Sequence, residues 1–114
     1  MKFIIAPPPS VNAIYRNVHG KGRVKTQRYL TWQRDGLNRL LAQGAKSFPG
    51  PVILTLCLPE TERGDVSNRI KAAEDLLVKA GVIPDDSKAI VREVRARWVP
   101  KSEPCTISVE PANE

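Results

Sequence analysis

The sequence predicts an α+β domain in which a small mixed β-sheet carries two main helices. Apolar runs bounded by Pro and Gly predict the strands, and apolar positions at helical spacing predict the helices. The elements follow in the order β-α-β-α-β-β, which is typical of an α+β fold. At 114 residues, with 41% hydrophobic and 26% charged residues, the chain is long enough for one such domain, residues 1–114, and too short for two.

The N-terminal half is predicted to contain one strand, one loop and one helix. Residues 3–6 form a short apolar run that three prolines end, which indicates a buried strand. Residues 10–25 are polar and basic without apolar periodicity, so we expect a loop, and its glycines leave the backbone free to move. Apolar residues over 28–43 fit an amphipathic helix that ends at Gly44.

The C-terminal half is predicted to contain a central strand, a helix and two further strands. Residues 52–58 form a β-branched apolar run that a proline ends. Over 66–80 the apolar positions 66, 70, 73 and 77 form one helical stripe, which ends before Gly81. Residues 89–99 alternate as a long strand, and residues 106–109 form the last one. We expect Trp32 and Trp98 to lie in the core.

Charge is distributed unevenly along the chain. Residues 1–48 carry nine basic residues against one acidic residue, and residues 49–114 carry nine against eleven, which gives formal charges of +8 and −2. A basic half beside clustered carboxylates favours a protein that holds a polyanion and performs metal chemistry on it. The basic stretch over about 16–28 is the expected nucleic-acid-binding segment, and a mobile, solvated loop is the alternative reading of the same residues.

Several classes of protein are excluded by composition. No stretch approaches the ~20 apolar residues of a membrane span, and the N-terminal apolar run is too short for a signal peptide. We therefore expect a cytoplasmic protein with no membrane partner. One histidine and two separated cysteines exclude a closed four-ligand zinc site, and a disulfide is not expected in a reducing compartment.

Acidic residues surround the second predicted helix. They lie before it, within it and after it: Asp65, Glu74, Asp75, Asp85 and Asp86. Each has an ordinary structural explanation, because Asp is common at helix N-caps and in turns. Asp65 and Asp86 can approach each other only if the chain after the helix runs back along it, and Lys71 then lies between them. Carboxylates beside a lysine would suit a Mg²⁺ ion held against a phosphate.

Three segments together resemble the RusA family of Holliday-junction resolvases, small homodimeric endonucleases of bacteria and their prophages. Residues 8–16 are similar to the family's Pro-Pro-Ser-x-Asn-x-x-Tyr-Arg segment. Residues 64–73 are similar to its Asp-x-Asp-Asn-x-x-Lys helix start, and residues 75–86 to its Asp-x-Leu…Gly-x-x-x-Asp-Asp run. The resemblance extends from about residue 5 to residue 109.

The resemblance implies a homodimeric, Mg²⁺-dependent endonuclease, with Mn²⁺ as the alternative ion, that cuts Holliday junctions and other branched DNA by paired symmetric nicks. Asp65 and Asp86 match metal-binding acids of the family, Asp85 stands beside them as a further ligand, and Lys71 matches the catalytic lysine. Asp65, Lys71 and Asp86 are thus the expected catalytic residues. The expected DNA contacts are Asn12, Arg16, Lys21, Arg23, Lys25, Arg28, Arg63, Asn68 and Arg69.

One residue departs from the family pattern. Ser67 stands where the family usually has a second acid, and a neutral hydroxyl is a poorer ligand for Mg²⁺ than a carboxylate. Three alternatives follow. Asp85 or Glu74 supplies the missing ligand oxygen, or water fills the position and metal binding is weaker. In the third alternative, the chain is an inactive junction-binding protein. A more remote alternative is an RNA-binding or RNA-processing protein that uses the same basic stretch.

Overall fold

A computed structural model of the chain describes residues 1–112. In chain order the elements are β1 (Lys2–Ile4), β2 (Tyr15–Val18), β3 (Gly22–Lys25), α1 (Gln27–Ala42), β4 (Val52–Pro59), α2 (Ile70–Lys79), β5 (Val91–Val99) and β6 (Thr106–Pro111), with 3-10 turns at Val11–Ala13 and Val66–Arg69. This arrangement confirms the predicted α+β class and, apart from an added hairpin, the predicted order of elements.

The main sheet has four strands in the spatial order β1-β6-β4-β5. β6 lies antiparallel to both β1 and β4, whereas β4 and β5 are parallel. Parallel neighbours need a crossover connection, which the chain makes through the turn at Val66–Arg69 and α2. The acidic residues around α2 therefore lie on the segment of chain that connects β4 to β5.

The core lies on one side of this sheet. Val52, Leu54 and Leu56 on β4 are at most 1% exposed, whereas Ile53 and Thr55, which alternate with them, are only partly covered. This alternation directs one face of β4 toward the helices. Both helices contribute to the same cluster, which includes Leu40, Ala73, Leu76 and Leu77.

The two helices pack closely where Gly36 of α1 meets Leu76 of α2. A Cβ atom added at Gly36 would stand 2.8 Å from Leu76 Cδ2, closer than two carbon atoms normally approach. Glycine at this position therefore permits the helix–helix contact. α1 ends at Ala42, and Gly44 follows with a φ of 82°, which confirms the predicted C-terminal stop.

The prediction of an irregular loop over 10–25 is wrong for most of that segment. β2 and β3 form an antiparallel hairpin in which Tyr15 faces Lys25 and Asn17 faces Arg23. Almost all of its side chains are exposed, so the hairpin lacks the apolar alternation that signals a half-buried strand. Thr26 connects it to α1, because its hydroxyl donates to the Ala13 carbonyl at 2.7 Å and accepts from the Tyr29 N–H at 3.2 Å.

Other predicted boundaries and burials need smaller corrections. The helix predicted from residue 66 begins as a 3-10 turn and becomes α-helical at Ile70. Trp32 is partly buried and donates its indole N–H to the Ala6 carbonyl at 3.0 Å, as a residue at the margin of the core. Trp98 is 36% exposed, which corrects the expectation of a core position. It lies on β5, an edge strand, where neighbours cover the side chain from one flank only.

Within residues 1–112, no helix combines the length and the apolar composition that crossing a bilayer requires.

Candidate active site

Lys71 lies between two carboxylates at the start of α2. Its Nζ atom is 3.0 Å from Asp86 Oδ2 and 3.2 Å from Asp75 Oδ1. Asp75 is one helical turn further along α2, whereas Asp86 follows the helix. The chain after α2 thus returns toward the helix start, as a meeting of these residues requires. The ion pair between Lys71 and Asp86 therefore links the start of α2 to the segment that follows the helix.

The surroundings of Lys71 keep its ammonium charged. The hydrogen bond to Asp86 is the largest cause of an upward shift in the pKa of Lys71. Partial burial opposes this shift, and the hydrogen bond to Asp75 adds to it. A lysine in this state is a fixed positive charge at neutral pH. It can stabilise negative charge on a neighbouring phosphate, but it is a poor proton donor.

The two neighbouring aspartates after α2 have different surroundings. Asp85 accepts a hydrogen bond from the Ser87 N–H at 2.8 Å, and its hydrogen bonds with Ser87 lower the pKa of the Asp85 carboxyl. An aspartate that binds the backbone two residues ahead is typical of a turn. Asp85 therefore stabilises the turn, and Asp86 is the aspartate that contacts Lys71.

Asp65 stands at the N-cap position of the turn Val66–Arg69 with an extended backbone, yet its side chain makes no capping hydrogen bond. The backbone carbonyl of Asp65 accepts from the Asn68 N–H at 3.1 Å, and the carboxylate itself is exposed. The ordinary structural explanation for this aspartate, helix capping, is therefore not realised. Ser67, two residues further on, is also exposed.

Glu74 is the remaining carboxylate near Lys71 and is only partly exposed. Burial raises the pKa of Glu74, and the charge of Asp86 raises it further. The ionised form of this side chain is thus disfavoured in the folded protein. The negative charges of Asp86 and Asp75 act on Glu74, and the positive charge of Lys71 opposes their effect.

The carboxylates of the site fit Mg²⁺ by chemistry, since hard cations prefer carboxylate oxygens. Residues 1–112 contain no group of three or more His, Cys, Asp or Glu side chains arranged to hold a metal ion. Asp65, Asp85 and Asp86, the three predicted ligands, are accordingly not gathered into one cluster. Mg²⁺ is commonly held by one or two protein carboxylates, with water and phosphate oxygens as the other ligands, so the donor set remains suitable.

The basic hairpin adjoins this site. Lys25 and Asp75 line the same cavity of about 220 Å³, together with Tyr29 of α1. Lys25 Nζ lies 5.8 Å from the centre of the Tyr29 ring, and the Arg23 guanidinium lies 4.2 Å from that of Tyr15. The exposed basic residues of this region are those predicted to contact DNA: Arg16, Lys21, Arg23, Lys25 and Arg28.

The remaining predicted DNA contacts lie around the turn Val66–Arg69, against which the turn bearing Asn12 packs. Asn12 and Arg63 are exposed, and Asn68 is partly exposed. Arg69 is buried: its Nη1 donates to the Pro8 carbonyl at 2.8 Å and to Glu62 Oε1 at 3.0 Å, and its Nη2 donates to the Arg63 carbonyl at 2.8 Å. Both terminal nitrogens of Arg69 therefore bind acceptors within the protein.

Comparison with known proteins decides the family. The model of the family described as Endodeoxyribonuclease RusA matches residues 5–110. This chain belongs to the RusA family. Two relatives named Crossover junction endodeoxyribonuclease RusA, from Shigella sonnei (strain Ss046) and Escherichia coli (strain K12), are each 31% identical to it over 87 residues, which is 73% of this chain and 71% of the relative. The resemblance found in the sequence is confirmed.

Asp75 contacts Lys71 but is absent from the predicted catalytic set. Its contact with Lys71 follows from their spacing of four residues on one helix, which brings the two side chains to the same face. The sequence therefore contained a usable signal for this pair. The burial of Arg69 had no such signal, because its partners are backbone carbonyls and a glutamate of separate loops.

Proposed function

We propose that this RusA-family chain is a Mg²⁺-dependent endonuclease that resolves Holliday junctions and related branched DNA by paired symmetric nicks. The observation that carries the proposal is the placement of Lys71 between Asp75 and Asp86, beside an exposed basic hairpin. The relatives named as crossover junction endodeoxyribonucleases supply the class of substrate. The expected place of action is the bacterial cytoplasm.

Each residue of the site has a proposed role. Asp65 and Asp86 offer carboxylate oxygens to Mg²⁺, and Asp85 is a further ligand that would have to leave Ser87. A bound Mg²⁺ would polarise the scissile phosphate and lower the pKa of an attacking water. Lys71 stabilises the charge that develops on the phosphoryl oxygens, and Asp75 keeps its ammonium in place when Asp86 has a second partner.

The proposed DNA-binding surface is the exposed basic hairpin with its flanking residues. The side chains are Asn12, Arg16, Lys21, Arg23, Lys25, Arg28, Arg63 and Asn68. Contacts of this kind to phosphates are independent of sequence and release counterions. Arg69 supports this surface from below, because it holds the loop that carries Arg63.

Paired nicks in a four-way junction require two active sites with matched geometry. A two-fold symmetric dimer supplies them with one kind of chain, since its sites are related by the same rotation. We therefore propose that the functional unit is a homodimer.

Cleavage of a mobile four-way junction tests the proposal. An end-labelled junction is incubated with the protein with and without Mg²⁺ or Mn²⁺, and a duplex of equal length is the comparison. We expect symmetric, metal-dependent nicks in the junction alone. Cuts in the duplex at the same rate, or nicking that chelation of metal leaves unchanged, would contradict the proposal.

Asp65→Asn tests the proposed metal-binding role. We expect this change to abolish cleavage and to weaken Mg²⁺ binding measured by calorimetry without DNA, while junction affinity stays within about threefold. Glu103→Gln is the matched control, because Glu103 is an exposed acid in the turn after β5 and should change neither quantity. Cleavage by Asp65→Asn at the parental rate would remove Asp65 from the mechanism.

Ser67 supports a second candidate, a junction-binding protein with weakened or absent catalysis. Its exposed hydroxyl occupies the position of a family acid, and residues 1–112 hold no group of three or more His, Cys, Asp or Glu side chains arranged to bind a metal ion. This candidate predicts a retarded junction with no cut strand in either metal. Ser67→Asp should then produce cleavage, and a parent that already cuts efficiently would exclude this candidate.

A further inference from the structure

The outer edge of β5 is an uncovered edge of the four-stranded sheet. At the opposite edge, the side chain of Gln43, the C-cap residue of α1, accepts from the Ile4 N–H at 2.7 Å and donates to the Ile4 carbonyl at 2.8 Å, so the outer backbone groups of Ile4 are satisfied. β5 is nine residues long, and over Val94–Trp98 nothing in the described chain bonds its outer backbone groups. Long, regular edges of this kind are templates for pairing with another strand.

The outward-facing backbone groups of β5 can be assigned. The Glu60 N–H, just beyond β4, donates to the Val99 carbonyl at 2.9 Å, so the polar groups of Val99 point toward β4. From Glu93 onward the pairing with β4 runs without a register shift. Backbone direction alternates along a strand, and the N–H and C=O groups of Val94, Ala96 and Trp98 therefore point outward.

Apolar side chains accompany these unpaired groups. Val94 is 39% exposed and Trp98 is 36% exposed. Both lie on the face that β4 directs to the core, opposite Leu54 and Leu58 respectively. The apolar face of the sheet thus continues to its edge, where Val94 and Trp98 are exposed to solvent.

Charged side chains occupy the other face of β5. Glu93 and Arg95 form an ion pair two residues apart, and Arg95 Nη1 also lies 3.7 Å from Glu110 Oε1 on β6. Arg97 follows on the same face, where its Nε contacts Cys57 Sγ at 3.4 Å. A strand that pairs with this edge has to present charges that complement one acid followed by two bases.

We propose that a second copy of this chain pairs with β5 in the antiparallel direction, with the two-fold axis at Val94. In this register Glu93 of each copy lies opposite Arg95 of the other, so two opposite-charge pairs form and no like charges meet. An axis at Ala96 would place Arg95 opposite Arg97 twice, and an axis at Arg95 would place that residue opposite itself. Like charges directly opposite are destabilising, and the strand is therefore self-complementary in one register.

The pairing joins two four-stranded sheets into one sheet of eight strands and covers Val94 and Trp98. This pairing would be the interface of the homodimer proposed above, and its role in junction cleavage rests on that proposed function. Association and geometry can be measured without cleavage. Failure of the interface and failure of the nuclease proposal are therefore distinguishable.

Disulfide trapping tests the position of the axis. Val94→Cys should form a covalent dimer on mild oxidation of the full chain, because residues opposite each other in an antiparallel pair have Cα atoms about 5.5 Å apart. Leu41→Cys is the control, since Leu41 is 57% exposed on α1 and should remain unlinked. The native Cys57 and Cys105 are buried and should not react. Absence of a linked Val94→Cys dimer would overturn the proposal.

Charge exchange tests the register independently. Arg95→Glu should raise the dimer dissociation constant roughly tenfold in sedimentation experiments, because it places acids opposite each other at two points. The double variant Glu93→Arg with Arg95→Glu should restore the parental value. Circular dichroism confirms that each variant is folded. A parent that stays monomeric at all concentrations, or a dimer that neither exchange affects, would overturn the interface.

Discussion

Arg69 shows how one buried guanidinium can organise a surface that it does not itself form. Its side chain is 11% exposed, and its terminal nitrogens connect the proline segment at Pro8 with the loop that carries Glu62 and Arg63. Removal of the guanidinium would leave carbonyl acceptors and a carboxylate without their donors. Arg69 therefore belongs to the stability of the site, whereas its sequence position alone suggested a phosphate contact.

Arg69→Met should lower the free energy of unfolding by about 2–4 kcal/mol, because buried acceptors lose charge-assisted hydrogen bonds. Chemical denaturation of the two proteins measures the difference. Arg63→Met is the control, since Arg63 is exposed, and its effect on stability should stay within about 0.5 kcal/mol. Equal stability of the two variants would contradict the stabilising role of Arg69.

Glu74 gives the site a pH dependence of stability. Burial, followed by the charge of Asp86, raises the pKa of Glu74 above its ordinary value of 4.5. A raised pKa means that the folded protein binds the proton more tightly than the unfolded chain does. The stability from this group is therefore present below pH 4.5 and is lost as the pH rises through the folded-state pKa.

Glu74→Gln should remove the loss of stability that the ionisation of Glu74 causes as the pH rises. The variant should gain stability relative to the parent between about pH 4 and pH 7, because the amide stays neutral throughout. Thermal unfolding at both pH values measures the gain, and Glu103→Gln provides an exposed acid for comparison. A parent and variant that respond identically to pH would show that Glu74 ionises freely in the fold.

At the scale of elements, the contact between α1 and α2 depends on the absence of a side chain at Gly36. The nearest atom to an added Cβ belongs to Leu76, which is fully buried and has little room to move. α2 carries Lys71 and Asp75, so the depth at which it packs on α1 also sets the position of the site. A small residue in one helix thereby affects chemistry on the other.

Gly36→Val should lower the free energy of unfolding by about 2–3 kcal/mol, since extra methyl groups in a packed interface force neighbours to shift. Asn38→Val introduces the same side chain at an exposed position of the same helix. Its cost should be limited to helix propensity, about 0.5 kcal/mol. Urea titration compares the two, and similar destabilisation by both changes would contradict the close packing of the two helices.

The elements differ in how far sequence could predict them. β4 was predictable because its apolar run reports a strand with a buried face, and α2 because its apolar residues form one stripe. The hairpin of β2 and β3 was not predicted, since both of its faces meet solvent and carry polar residues. Periodicity reports burial, and an element without a buried face gives no periodic signal.

At the scale of the whole molecule, the +8 charge of residues 1–48 is concentrated in part on the hairpin and the start of α1. This arrangement leaves the carboxylates of α2 and the following turn at the margin of a basic surface. A polyanion attracted to the hairpin would therefore lie next to the site, because Lys25 of the hairpin lines the same cavity as Asp75, the partner of Lys71. The expected consequence is binding that weakens steeply as salt is added.

Arg16→Ala should reduce the salt dependence of junction binding. The slope of log affinity against log salt concentration should fall in magnitude by about 0.9 for each phosphate that the variant no longer neutralises. Lys101→Ala is the control, because Lys101 is an exposed base in the turn between β5 and β6. Fluorescence anisotropy over a salt series gives both slopes, and the same reduction from either change would remove Arg16 from the DNA-binding surface.

By itself, the sequence determined the α+β class, the order of the main elements and the family, together with the clustering of carboxylates around α2. Only the tertiary structure decided that Asp86 contacts Lys71 while Asp85 holds Ser87, that Arg69 is buried, and that Trp98 stays exposed at a sheet edge. The physical reason is range. Local periodicity and turn chemistry act over a few residues, whereas ion pairs, burial of charge and free edges depend on segments that meet only after the chain has packed.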